Sequence, residues 1–253
     1  VTQTVKQKIV LSCVIVCLSA LAFAPQLERM SYAYHEKAFE RALTTFAVAR
    51  VLNGVISVLQ GTELEGSVVF ASATFAVGEI LDPINDLVER FSWVMLASTV
   101  ALGIEKVLIE MGGVAALKNA LALVGALSVV VVWMPRLKTV FSWSLRLFAV
   151  LVILRFLMPA LEFTSATVYE HFTQPTYIEA SQTLMQTSQE LEALNPVEKK
   201  ELSFFQNLSE RFEKATQDII AMIVVFVLHT MLFPALFLWG GFRGVVACLR
   251  MRV

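Results

Sequence analysis

The chain has 253 residues, of which 57% are hydrophobic and only 16% charged, and its mean hydropathy is +0.70. Soluble domains run nearer about 45–50% apolar and about 25% charged, so an ordinary soluble domain is excluded and a membrane protein is indicated. A formal net charge of −1 removes the electrostatic case for a nucleic-acid partner.

The segment Val1–Lys8 is short and basic, with Lys6 and Lys8, and Ile9–Ala24 is apolar. Together they have the form of a signal peptide or signal anchor. Pro25 follows the small-x-small triplet Ala22-Phe23-Ala24, where it would block cleavage, so a retained anchor is expected. Cys13 and Cys17 lie four apart on this segment and Cys248 lies far along the chain, which fits small apolar residues and neither a disulfide framework nor a zinc spacing.

Gln26–Arg41 is charged. Leu43–Leu59 is apolar except for Arg50, Asn53, Ser57 and Gln60, whose spacing of 3, 4 and 3 puts them on one helical face. Such a segment either crosses the bilayer with a buried polar stripe or lies flat at the interface. Gly61, Gly66 and Gly78 with a β-branched run suggest an extended loop or short hairpin over 62–82. Asp82-Pro83 then reads as a helix start, with Asp82 as cap and Pro83 at the first helical position.

The helix beginning at Pro83 should run to Met111, apolar over Phe91–Ile104, and end at Gly112-Gly113. The short break predicts that Val114–Met134 returns antiparallel, with Lys118 able to pair with Glu105 or Glu110. Pro135 and the basic turn Arg136-Leu137-Lys138 lead into Thr139–Met158, with Pro159 at its exit.

The stretch Glu162–Gln217 carries nine acidic and four basic residues, too many charges for a bilayer. Tyr177, Leu184 and Leu191 are spaced by seven, and Phe205, Leu208, Phe212, Ala215 and Ile219 by threes and fours. These narrow seams predict an antiparallel helical hairpin outside the membrane, with arms of about 18 and 22 residues, or about 27–33 Å. Asn195-Pro196-Val197-Glu198 supplies the start of the second arm. That arm runs without a break into the last apolar span, Ile219–Trp239, followed by Arg243, Arg250 and Arg252.

The expected fold is therefore an all-α integral membrane protein of about six transmembrane helices, or five plus an interfacial helix, with an extramembrane antiparallel helical hairpin. Its regions are 1–61, 62–82, a three-helix core at 83–161, the hairpin at 162–217, and 218–253. Placing Lys6/Lys8, Arg136/Lys138 and the C-terminal arginines on one side requires an even number of spans and puts both termini in the cytoplasm. Short loops and this charge pattern suit a prokaryotic inner membrane.

Ionisable groups inside a membrane are functional candidates, because their burial is costly. Arg50, Arg146, Arg155 and His229 qualify, with Asn53 and Ser57 on the stripe, and no carboxylate is expected at equal depth. Arg146 and Arg155 can snorkel, while His229 should hydrogen-bond to a neighbouring helix. His35 and His171 fall in polar flanks, which disfavours haem. No zinc-protease, nucleophile-elbow, phosphate-loop or C-x-x-C motif is present, so neither an enzyme nor a cofactor or metal is expected. The expected function is a membrane scaffold or accessory subunit that binds a membrane partner or its own copies through Leu184, Leu191, Phe205, Leu208 and Phe212. The alternative is a homo-oligomeric channel or small-solute/anion transporter. The face occupied by Arg50 and Asn53 discriminates between them.

Overall fold

In the computed structural model, the structure describes residues 5–65, 71–192 and 202–250, without the side chains of 59–65, 71–81, Pro135, Lys138, 190–192 and 202–212. These residues are almost entirely helical: α1 (Val5–Leu21), α2 (Pro25–Glu65), α3 (Ala71–Gly113), α4 (Ala115–Val132), α5 (Lys138–Val168), α6 (Gln174–Glu192), α7 (Leu202–Val227) and α8 (Phe233–Arg250). Single π turns, Tyr169–Thr173 and Leu228–Leu232, carry α5 into α6 and α7 into α8 without a break. Four helices are long and apolar enough to cross a membrane: Pro25–Val58, Ala115–Val132, Thr139–Gln189 and Glu213–Arg250.

The extended stretch expected over 62–82 is helical wherever it is described, through Glu65 and again from Ala71. Pro83 lies inside α3 rather than at its start. A proline removes one helix donor and crowds the carbonyl four residues back. Eleven residues on the N-terminal side of Pro83 still continue as helix. Pro159 likewise lies inside α5, not at an exit.

The chain forms two compact units, residues 1–36, 103–167 and 232–253 in unit 1 and residues 37–102 and 168–231 in unit 2. In unit 2, four helical segments surround one core that includes Ala42, Ala49, Leu52, Ile56, Phe91, Met95, Leu184, Ile219 and Phe226. Its arms α6 and α7 pack on each other, as a helical hairpin requires. The turn expected near Asn195 lies outside the described residues.

In unit 1 the direction of each helix can be read from its neighbours on α5. Ala22 meets Arg155, Glu28 meets Arg155, and His35 meets Glu162. The end of α1 and the start of α2 thus run in the same direction as α5. The connection at 22–24 offsets the helix through short turns such as Ala24 N to Leu21 O, and does not reverse it.

The break at Val114 behaves in the same way. Gly112 of α3 lies against the carbonyls of Leu154 and Arg155, and Gly125 of α4 against Phe148, Ile15 and Ser19. Both α3 and α4 therefore descend along α5. The antiparallel hairpin expected at Gly112-Gly113 does not form. One extended residue, Val114 at φ −58° and ψ 134°, shifts the axis without turning the chain back. Lys118 accordingly reaches Glu28 rather than Glu105 or Glu110.

Heptad repeats set this packing. On α2 the buried positions Ser31, His35, Ala42, Thr45, Ala49, Leu52 and Ile56 follow a 3-4 alternation. On α3 Val88, Phe91, Met95, Ser98, Leu102, Glu105 and Ile109 do the same. On α8 Gly241 and Gly244 meet Leu157 and Ile153 of α5. Small residues there allow the close approach on which apolar-medium packing depends.

Candidate functional site

Two polar layers lie buried in unit 1, one heptad apart. The first is built on Arg155, only 2% exposed. Its Nε and Nη2 donate to the Ala22 carbonyl at 3.1 and 3.0 Å, and Nη2 also donates to Glu28 Oε1 at 2.9 Å. The Ala22 carbonyl is available because α1 has ended and no helix donor follows. Glu28 stands in the first turn of α2, where a negative charge is favoured, and accepts a further bond from Lys118 Nζ at 3.0 Å. Arg155 was expected to snorkel. Instead it ties together α1, α2 and α5, and its charge is met inside the protein.

The second layer contains His35, Glu105 and Glu162, all buried. His35 Nδ1 lies 3.0 Å from Glu162 Oε1. One ligand atom from each of the three residues falls within 4.8 Å of the others. Glu105 Oε1 is enclosed and has no hydrogen-bond partner among the described residues. Two carboxyl groups this close in a dry bundle disfavour each other's ionised form. This layer corrects two expectations, that His35 lies in a solvated flank and that no carboxylate is deep. His35 and Glu105 each occupy a core position of their helix's heptad, and that register is the signal by which sequence could have found them.

Unit 2 holds a different polar cluster around the π turns. Proline follows each turn at the same distance, Pro175 after Thr173 and Pro234 after Leu232. A proline cannot donate to the carbonyl four residues back and its ring clashes there, so widening the preceding turn relieves both problems. Across the two turns Thr173 Oγ1 lies 3.0 Å from His229 Nε2. This is the interhelical hydrogen bond expected of His229. Tyr169 packs edge-on to His229 and to Tyr177, and the Arg41 guanidinium stacks 3.8 Å from the Tyr169 ring centre. Thr230 Oγ1 donates to Ser98 at 3.1 Å.

The remaining candidates are scattered. Arg50 and Ser57 are exposed and Asn53 is half-buried, on the face next to the α2 core seam. Ser57 donates to the Asn53 carbonyl of its own helix at 2.8 Å. Arg146 lies 5.2 Å from the Trp143 ring and borders an apolar cavity of about 400 Å³ with Leu127, Leu147, Val245 and Leu249. Leu184 is fully buried in the unit 2 core. The side chains of Leu191, Phe205, Leu208 and Phe212 lie outside the described residues. The structure thus joins Arg155 to groups that sequence reading did not single out, and it brings neither Arg50, Asn53 and Ser57 nor Arg146 to that layer.

Compared with known proteins, the chain matches no family model, no curated protein and no solved structure.

Proposed function

We propose that the chain is an integral membrane scaffold or accessory subunit that docks a membrane partner or a second copy through the outer faces of unit 2. The observation that carries this reading is the outward position of the Arg50/Ser57 stripe on a helix that also exposes Leu43, Val51 and Val58. A mixed face of this kind on α2, next to exposed Trp93 and Val100 on α3 and Ile220 and Val224 on α7, is more apolar than water tolerates over a broad area. Pairing of the deep polar groups also favours docking over transport. Arg155 and His229 each have protein partners, and the 400 Å³ cavity is apolar.

In this reading the membrane is crossed by α1, α4, the first five turns of α5, and α8. Their common direction along α5 brings Lys6/Lys8, Arg136/Lys138 and Arg243/Arg250 to one end of unit 1. Lys8 Nζ near the Trp133 ring and Arg243 over Trp239 support that placement. Basic residues and tryptophans together mark a cytoplasmic membrane boundary.

The test is a photo-crosslinking amino acid placed at Arg50, Val51 or Ser57 in native membranes, followed by mass measurement of the complex extracted in mild detergent. A single adduct of fixed stoichiometry, either twice the chain's mass or one second polypeptide, is expected. A bare monomer without adducts, carrying solute flux when placed in liposomes, would overturn the reading.

A further inference from the structure

We propose that His35, Glu105 and Glu162 bind one divalent first-row transition metal ion, which ties α2, α3 and α5 together inside unit 1. The inference does not depend on partner docking.

Three observations converge on it. First, the donors come from three different helices yet lie within 4.8 Å of one another. Zinc holds imidazole nitrogen and carboxylate oxygen at about 2.0–2.2 Å, which puts neighbouring ligands about 3–3.5 Å apart. His35 and Glu162 are already 3.0 Å apart, so only the Glu105 carboxyl must swing inward. Second, Glu105 Oε1 is buried in the cluster with no hydrogen-bond partner among the described residues. An enclosed carboxylate oxygen in that state is costly, and a metal ion removes the cost. Third, charge balances: one neutral imidazole and two carboxylates carry −2, which a divalent cation cancels.

The donor set selects the class of ion. One nitrogen and two oxygens suit Mn²⁺, Fe²⁺ or Zn²⁺. The lack of thiolate disfavours Cu(I), and the imidazole disfavours Ca²⁺ and Mg²⁺, which prefer oxygen alone. The site is 94% or more buried at each residue, since relative exposures are 3%, 6% and 4%. Loading is therefore coupled to assembly of the helices. Arg155 does not compete for these carboxylates, because it is bonded to Glu28 one heptad away.

The test uses the full chain, purified in detergent with a tag that lacks histidine. Metal content is measured by mass spectrometry after equilibration with Zn²⁺ or Mn²⁺ and removal of excess. One ion per chain is expected, together with a melting temperature that falls on chelation and recovers on adding Zn²⁺. Glu105→Gln should lose the ion at unchanged helical content, whereas Glu28→Gln, in the neighbouring layer, should keep it. If Glu105→Gln does not fold, His35→Gln and the absorption spectrum of Co²⁺ on the native chain decide the matter. A protein-bound Co²⁺ spectrum abolished by Zn²⁺ supports the site. A folded native chain that takes up no ion, or a Glu105→Gln variant that retains its full content, overturns it.

Discussion

Arg155 Nη2 donates to Glu28 Oε1 at 2.9 Å, and seven residues further along both helices His35 and Glu162 meet at 3.0 Å. Equal steps on two helices mean that α2 and α5 run side by side in the same direction, with polar layers about 10 Å apart. The two layers differ in character. The first is charge-matched by protein groups, and the second leaves a carboxylate oxygen to be satisfied.

Replacing Arg155 should therefore be severe. Arg155→Leu strands the Ala22 carbonyl and leaves Glu28 with Lys118 alone, and breaking a buried pair in this way costs about 3–5 kcal/mol. Lys118→Met removes a pair whose partners are 20% and 30% exposed, and should cost about 1 kcal/mol or less. Denaturant unfolding in detergent measures both. Equal effects would show that Arg155 is not the tie described.

Adjacent glycines on α8 should respond oppositely. A Cβ on Gly241 would come within 2.9 Å of Leu157, whereas one on Gly240 would meet nothing within 4 Å. Gly241→Val should cost about 1–3 kcal/mol through forced displacement. Gly240→Ala should be neutral or stabilising by up to about 1 kcal/mol through helix propensity. Thermal melting of the two variants distinguishes them.

Single cysteines report the topology. In a background with Cys13, Cys17 and Cys248 replaced, cysteines at Gln7, Arg136 and Arg243 should react with an impermeant thiol reagent only after the membrane is opened. A cysteine at Glu36 or Glu179 should react from the outer side without opening. Labelling of Gln7 and Arg136 from different sides would refute the four-pass arrangement.

At the π turns, Thr173→Val removes the hydroxyl that meets His229 and should cost about 1 kcal/mol. Phe172, beside it and 75% exposed, should tolerate Ala within about 0.5 kcal/mol. Chemical denaturation checks both. A neutral Thr173→Val would mean that the Thr173–His229 contact adds little.

Helical content and the apolar segments were legible in the sequence because composition and run length act locally. The continuity of α7 into α8 was legible as an unbroken apolar seam through Ala215 and Ile219. Chain direction at Gly112-Gly113 was not. A short break limits how far the chain can travel but does not fix which way it turns, and here long-range contacts of Gly112 and Gly125 with α5 decide it. The buried layers were hidden for a related reason. His35, Glu105 and Glu162 are far apart in sequence, and each looks solvated when its own charged neighbours are read alone. Only the heptad positions place them inside. Pro83 and Pro159 misled in the opposite way, since their local preference for helix starts and ends gave way to the surrounding helix.

The paired π turns also set a phase. Along α5 and α6 buried positions recur by sevens at Phe148, Arg155 and Glu162, and by seven again from Tyr177 to Leu184, but the interval between Glu162 and Tyr177 is fifteen. Along α7 and α8 the step from Phe226 to Pro234 is eight, flanked by sevens at Ile219 and Gly241. Each turn thus absorbs one supernumerary residue, like a leap day that keeps two calendars aligned. Loss of a single residue from either turn would rotate everything beyond it by about 100°, exposing one helix's inner face while its neighbour kept its own. Length changes in this chain should therefore survive only where both helices shift together, so the two prolines mark the place where its numbering is least free to drift.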